Sequence, residues 1–157
     1  MAKSVTAGLM RVGVLVAACI IVVRIVLEQI GAPESVNNIF GVAWLYFIFA
    51  VLFALRIAVS GEPGPYKALF KSLLLFSVYT RIMVIPTYML AYLLNWQAPR
   101  FGMKMGGNVG PGVGTLSGLF LIPLRNAFMW IVAATVVGMI IGGAVIFARK
   151  RFVLSPE

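Results

Sequence analysis

Histidine and aspartate are both missing from the 157 residues, and cysteine occurs once. Without histidine the chain has no imidazole to hold haem or zinc, and no side chain whose ordinary pKa lies near neutrality. A single cysteine excludes an intrachain disulfide and any CxxC pair. Acid is scarce as well: Glu28, Glu34, Glu62 and Glu157 are the whole supply, scattered along the sequence rather than paired. Paired-carboxylate chemistry within one chain is therefore disfavoured, and no catalytic residue, metal ligand or cofactor is assigned.

What is present is apolar and basic. Hydrophobic residues make up 62% of the chain and charged residues 11%, with Lys and Arg leaving a formal net charge of +9. A soluble domain of this length has too little interior to hide so much apolar surface, so lipid is the expected solvent. A basic excess serves nucleic acid when it clusters on one water-facing patch. Here the charges punctuate apolar runs instead, which reads as membrane topology and contact with anionic lipids, with no nucleic-acid partner.

The apolar runs predict an all-α integral membrane protein: one domain over residues 1–157, with four transmembrane helices in one bundle at approximately 7–30, 40–59, 67–96 and 126–148. In the first, Arg11 and Arg24 bracket the uncharged core from Val12 to Val23 and are expected to snorkel to opposite headgroup layers. "VAAC", Val16 to Cys19, resembles a lipoprotein processing box, but the apolar run continues past it, favouring an uncleaved helix with a buried Cys19. In the second, Trp44, Tyr46, Phe47 and Phe49 gather at one end as an interfacial belt would. "SGEPGPY" is a turn by composition, and Lys67 and Lys71 open the third helix.

Between the third and fourth helices lies "QAPRFGMKMGGNVGPGVGTLSG", a glycine-rich external loop. It lacks the Lys and Ser or Thr with which a phosphate-cradling P-loop ends. "LFLIPL", Leu119 to Leu124, is too short to span a bilayer and is expected to lie at the interface before Arg125.

Basic residues orient the chain. Lys3, Arg11, Arg56, Lys67, Lys71, Arg149, Lys150 and Arg151 share one side, against Arg24, Arg100, Lys104 and Arg125 on the other. The positive-inside rule then puts both termini in the cytoplasm and the protein in a cytoplasmic (inner) membrane. Arg56, Lys67, Lys71, Arg149, Lys150 and Arg151 become candidate headgroup ligands.

Arg81 is the residue whose position demands a reason. It falls near the middle of the third helix, where a charge costs about 2.5–3.5 kcal/mol on insertion scales. Ser77, Tyr88 and Tyr92 continue a polar stripe on its face, and Pro86 frees the carbonyl of Ile82 close by. Glu28 is the only carboxylate within an apolar stretch, but at about 1.5 Å per residue it should lie roughly 15 Å away in height, with Arg24 as its nearer partner. Arg81 is therefore expected to take an anionic or strongly accepting partner from outside its own chain; the alternative is that carbonyls around the Pro86 kink hold it and it only fixes packing. A second candidate contact is the small stripe Ala134, Gly138 and Gly142, where a helix of this chain or another can approach closely.

These features predict a non-catalytic accessory or structural subunit of a larger membrane complex. Its partners would be other integral-membrane subunits and anionic lipids, with oligomerisation possible. The alternative is a small oligomeric transporter or channel for an anionic solute.

Overall fold

The computed structural model describes residues 5–153, so Lys3 and Glu157 lie outside the described residues. Its regular elements are helical: α1 (Ala7–Gln29), α2 (Glu34–Ile39), α3 (Ala43–Ser60), α4 (Pro65–Leu93) and α5 (Ile122–Val153). Short 3-10 turns cover Pro99–Phe101 and Met103–Met105, and a π-turn over Ser117–Leu121 leads into α5. Four stretches are long and apolar enough to cross a membrane: Ala7–Gln29, Glu34–Ser60, Pro65–Leu93 and Ser117–Arg151.

Local chemistry sets the helix ends. Gly31 at φ +75° lets the amide of Ala32 return to the carbonyl of Leu27, closing α1 with a left-handed cap before Pro33 turns the chain into α2. Asn95 does the same for α4 at φ +50°, with Trp96 N–H donating to Ala91 O; asparagine tolerates this conformation better than most side chains. Gly61 ends α3 at φ +69°, and Pro65 opens α4, where its missing N–H costs nothing.

Helix α4 is central, packing against α1, α3 and α5. Thr6 Oγ1 lies 2.8 Å from Ser72 Oγ near the starts of α1 and α4, and Glu28 in the last turn of α1 meets Arg100 past the end of α4, so these two helices run parallel. Helices α3 and α5 run opposite to them: Thr135 faces Ser77, and Gly142, one end further on, faces Leu69. The described chain therefore begins and finishes at one end of the molecule. Helix α2 and the segment 94–116 lie at the other.

An aromatic cluster fills the middle. Phe49 and Phe76 have ring centroids 4.8 Å apart, Phe53 stands edge-on to Phe76, and all three are buried. Gly13 brings α1 against this cluster, since a Cβ there would meet Phe49 Cε1 at 2.6 Å.

Several local expectations need correction. Leu119 to Leu124 do not form a separate interfacial segment; they are the last residues of the π-turn and the first of α5 in one continuous run. Pro123 has no N–H to continue this run, and a donor from outside the helix replaces it at Gly118 O. Tyr46 and Phe49 are no belt: both are buried, and only Trp44 and Phe47 of that group point outward. Cys19 is exposed on the outer face of α1 rather than buried.

Candidate functional site

The glycine-rich segment folds onto the protein and carries side chains to the end of α4. Phe101 and Asn108 in it are fully buried, and Phe101 stands edge-on to Tyr88 with centroids 5.1 Å apart. Gly107 passes so close to the Phe101 backbone that no side chain would fit. Asn108 Nδ2 donates to the carbonyls of Tyr88 and Gly118, both at 2.7 Å. The second of these has a clear cause. In the π-turn Ile122 N–H bonds Ser117 O, so the next bond in that register would run from residue 123 to Gly118 O. Residue 123 is proline and has no N–H, and the Asn108 amide supplies the missing donor.

This anchoring delivers Arg100 to Glu28. Arg100 Nε lies 2.8 Å from Glu28 Oε1, and Arg24, one helical turn before Glu28, lies 2.9 Å from the same oxygen. The Glu28 side chain is 2% exposed, so two guanidinium groups hold one desolvated carboxylate. Burial pulls the Arg100 guanidinium below its ordinary pKa, the Glu28 carboxylate pushes back, and neighbouring Arg24 adds to the lowering. Arg100 Nη2 is left buried with no hydrogen-bond partner.

Arg81 sits on the same side of α4, buried, and enters no ion pair among the described residues. Its Nε donates to Tyr46 Oη at 3.0 Å. Tyr46 Oη in turn lies 2.7 Å from Thr80 Oγ1, and Thr80 Oγ1 donates to the carbonyl of Ser77 at 2.9 Å. Each hydrogen in this chain has one place to go: Arg81 to Tyr46, Tyr46 to Thr80, Thr80 to backbone. The guanidinium carbon also lies 4.8 Å from the Trp130 ring centroid and 5.5 Å from that of Tyr46, within cation–π range.

Arg81, Arg24, Arg100 and Glu28 line one cavity of about 340 Å³, together with Glu34 and Asn37 from α2. It runs from the end of the molecule that carries α2 inward to Arg81, with Ile21, Val42 and Val84 as apolar walls. Beyond Arg81 the interior closes over Phe76, Leu73 and Leu69, all buried.

The remaining predicted residues are placed as follows. Ser77 donates to Leu74 O and lies 3.4 Å from Thr135 Oγ1, so it binds α4 to α5 rather than lining the cavity. Tyr88 lines the cavity, whereas Tyr92 Oη donates to Val113 O and its ring covers Gly118. Ala134 is buried, and Gly138 and Gly142 face Leu73 and Leu69 of the same chain. At the opposite end Arg56, Lys67, Lys71, Lys150 and Arg151 are exposed and Arg149 is half-buried; Lys150 Nζ lies 6.0 Å from the Tyr66 ring.

Sequence reasoning missed Tyr46, Trp130 and Arg100 as parts of the site. A signal for Arg100 was available: a carboxylate as apolar in its surroundings as Glu28 calls for more than the one cation on its own helix. No family model, curated protein or solved structure matches the chain.

Proposed function

We propose that the four long helices cross a membrane as one bundle with both termini cytoplasmic, and that the protein is a non-catalytic binding component. Its cavity receives an anionic group from outside its own chain. One observation carries this reading. Arg81, 8% exposed and near the middle of α4, has no carboxylate partner among the described residues, and it lines a cavity that Arg24 and Arg100 also line. An arginine so placed is expensive without a counter-charge. Two elements pre-orient it, the Tyr46–Thr80 relay and the Trp130 face, and pre-orientation is what a binding site needs.

Binding is favoured over conduction through one chain because the packed aromatic core closes the interior beyond Arg81. The accessory-subunit form of the reading has the acidic side chain of a neighbouring helix as the anion.

The test is retention of anions by the full chain purified in mild detergent. Wild type should carry a bound anion, lipid or acidic partner chain, Arg81→Lys should hold it more weakly, and Arg81→Leu should lose it while keeping its helical content. Equal retention by wild type and Arg81→Leu would remove the cavity as a binding site.

A further inference from the structure

Resting on that reading, we propose that the anion is a phosphodiester bearing hydroxyl groups, the chemistry of a glycerol-type phospholipid headgroup or of the corresponding free glycerophosphodiester. The charges lining the cavity limit the choice first. Arg24, Arg81 and Arg100 face two carboxylates, Glu28 and Glu34, which leaves one positive charge to neutralise. Glu28 is shared by Arg24 and Arg100, and Glu34 at the mouth offsets the second of these charges in number, so the surplus is centred on Arg81 at the inner end. A phosphomonoester carries about −1.5 to −2 near neutrality and overshoots. A zwitterionic headgroup carries no net charge and leaves the surplus in place. A phosphodiester carries one negative charge and, unlike a carboxylate, resists protonation when water is withdrawn from it.

Hydrogen-bonding capacity at the outer end limits it further. The exposed carboxylate of Glu34 lines the mouth. It is an acceptor, and it calls for O–H donors on the part of the ligand that points outward. The apolar walls between mouth and Arg81, formed by Ile21, Val42 and Val84, suit the carbon skeleton that leads outward from the phosphate.

Native mass spectrometry of the full chain in mild detergent tests this, with equimolar dioleoyl phosphatidylglycerol, phosphatidylcholine and phosphatidic acid offered together. Wild type should retain phosphatidylglycerol at least tenfold over the other two. Arg81→Lys should lower that retention severalfold, and Glu34→Ala, which leaves two positive charges to neutralise instead of one, should shift retention towards phosphatidic acid. Excess soluble glycerophosphoglycerol separates the sources: displacement of the lipid identifies the free diester as sufficient, and failure to displace it identifies the lipid. Retention of phosphatidic acid or added dodecanoate in preference, still dependent on Arg81, overturns the phosphodiester assignment and leaves anion binding standing. An acidic protein chain in the cavity does the same. The absence of any Arg81-dependent anion overturns both.

Discussion

Arg100 reaches Glu28 at 2.8 Å across 72 residues of sequence, and it does so beside an arginine that already holds the same carboxylate. The pairing ties the glycine-rich segment to α1 at the mouth of the cavity. Glu28→Gln should therefore do more than delete one ion: it leaves two buried-facing guanidinium groups without a counter-charge. Removing one partner of a buried pair costs about 3–5 kcal/mol, and the low end applies here because both arginine side chains keep 17% exposure. Thermal unfolding in mild detergent measures it. Arg100→Ala should cost less, since Arg24 remains on Glu28; a larger loss for Arg100→Ala than for Glu28→Gln would contradict the shared-carboxylate geometry.

Tyr46→Phe keeps the ring and removes one oxygen. That oxygen accepts from Arg81 Nε and lies 2.7 Å from Thr80 Oγ1, so its loss leaves a buried cationic donor and frees the arginine to rotate. A buried group left unsatisfied costs about 1–3 kcal/mol. Lowered stability should be accompanied by weaker retention of the bound anion, whereas Thr80→Val should affect the anion less because the direct bond from Arg81 to Tyr46 survives. Equal effects of the two variants on anion retention would break the proposed order of the relay.

The small stripe on α5 separates into two unequal positions. A Cβ at Gly138 would meet Leu73 Cδ2 at 2.9 Å, the tip of a side chain that can swing away. At Gly142 it would meet Leu69 Cδ2 at 2.9 Å and also the backbone carbonyl of Ala50 at 3.0 Å, which cannot. Overpacking typically costs about 1–3 kcal/mol. Gly142→Ala should lie towards the upper end and Gly138→Ala towards the lower, as read by melting in detergent. Adding Leu73→Ala should relieve the strain of Gly138→Ala, while Leu69→Ala should relieve that of Gly142→Ala only in part.

Asn108→Asp tests what holds the segment carrying Arg100. The amide donates to Tyr88 O and Gly118 O at 2.7 Å each; a carboxylate would instead face two carbonyl oxygens. Limited proteolysis should then cut within residues 97–116 at a rate at least tenfold above wild type, with α1, α3 and α4 still protected. Unchanged cleavage would show that Phe101 and its aromatic neighbours hold the segment without the amide.

Hydropathy and charge made the four long helices legible, because each apolar run is long and holds few charges. Arg81 was legible for the opposite reason, as a charge inside such a run. Its surroundings were not. Tyr46 looks like one more aromatic at a helix end until α3 is packed against α4, and nothing in the sequence links Trp130 to Arg81 until α5 is placed beside it. The glycine-rich segment was the least legible. Its composition reads as flexible, yet Gly107 is there because the backbone passes against Phe101 with no room for a side chain. Likewise, nothing local marks Leu119 to Leu124 as helical, because the bond that Pro123 cannot make is supplied by Asn108 from the preceding segment.

Orientation rests on charge, and the packing sharpens how to test it. The turn at residues 61–64 lies at the end of the molecule where the described chain begins and finishes, with exposed Lys67, Lys71, Lys150 and Arg151 around it. The cavity mouth and Thr115 lie at the opposite end. In a Cys19→Ala background, needed because Cys19 is exposed, single cysteines at Gly64 and Thr115 report the two ends. Neither substitution disturbs packing: Gly64 has only Lys67 Cβ nearby, at 3.9 Å from an added Cβ, and Thr115 is exposed. An impermeant maleimide added to intact cells should label Thr115→Cys and leave Gly64→Cys unlabelled until the membrane is opened, as the positive-inside rule requires. The reverse pattern would turn the molecule over and place the arginine cavity on the cytoplasmic side, so its anion would have to come from that leaflet.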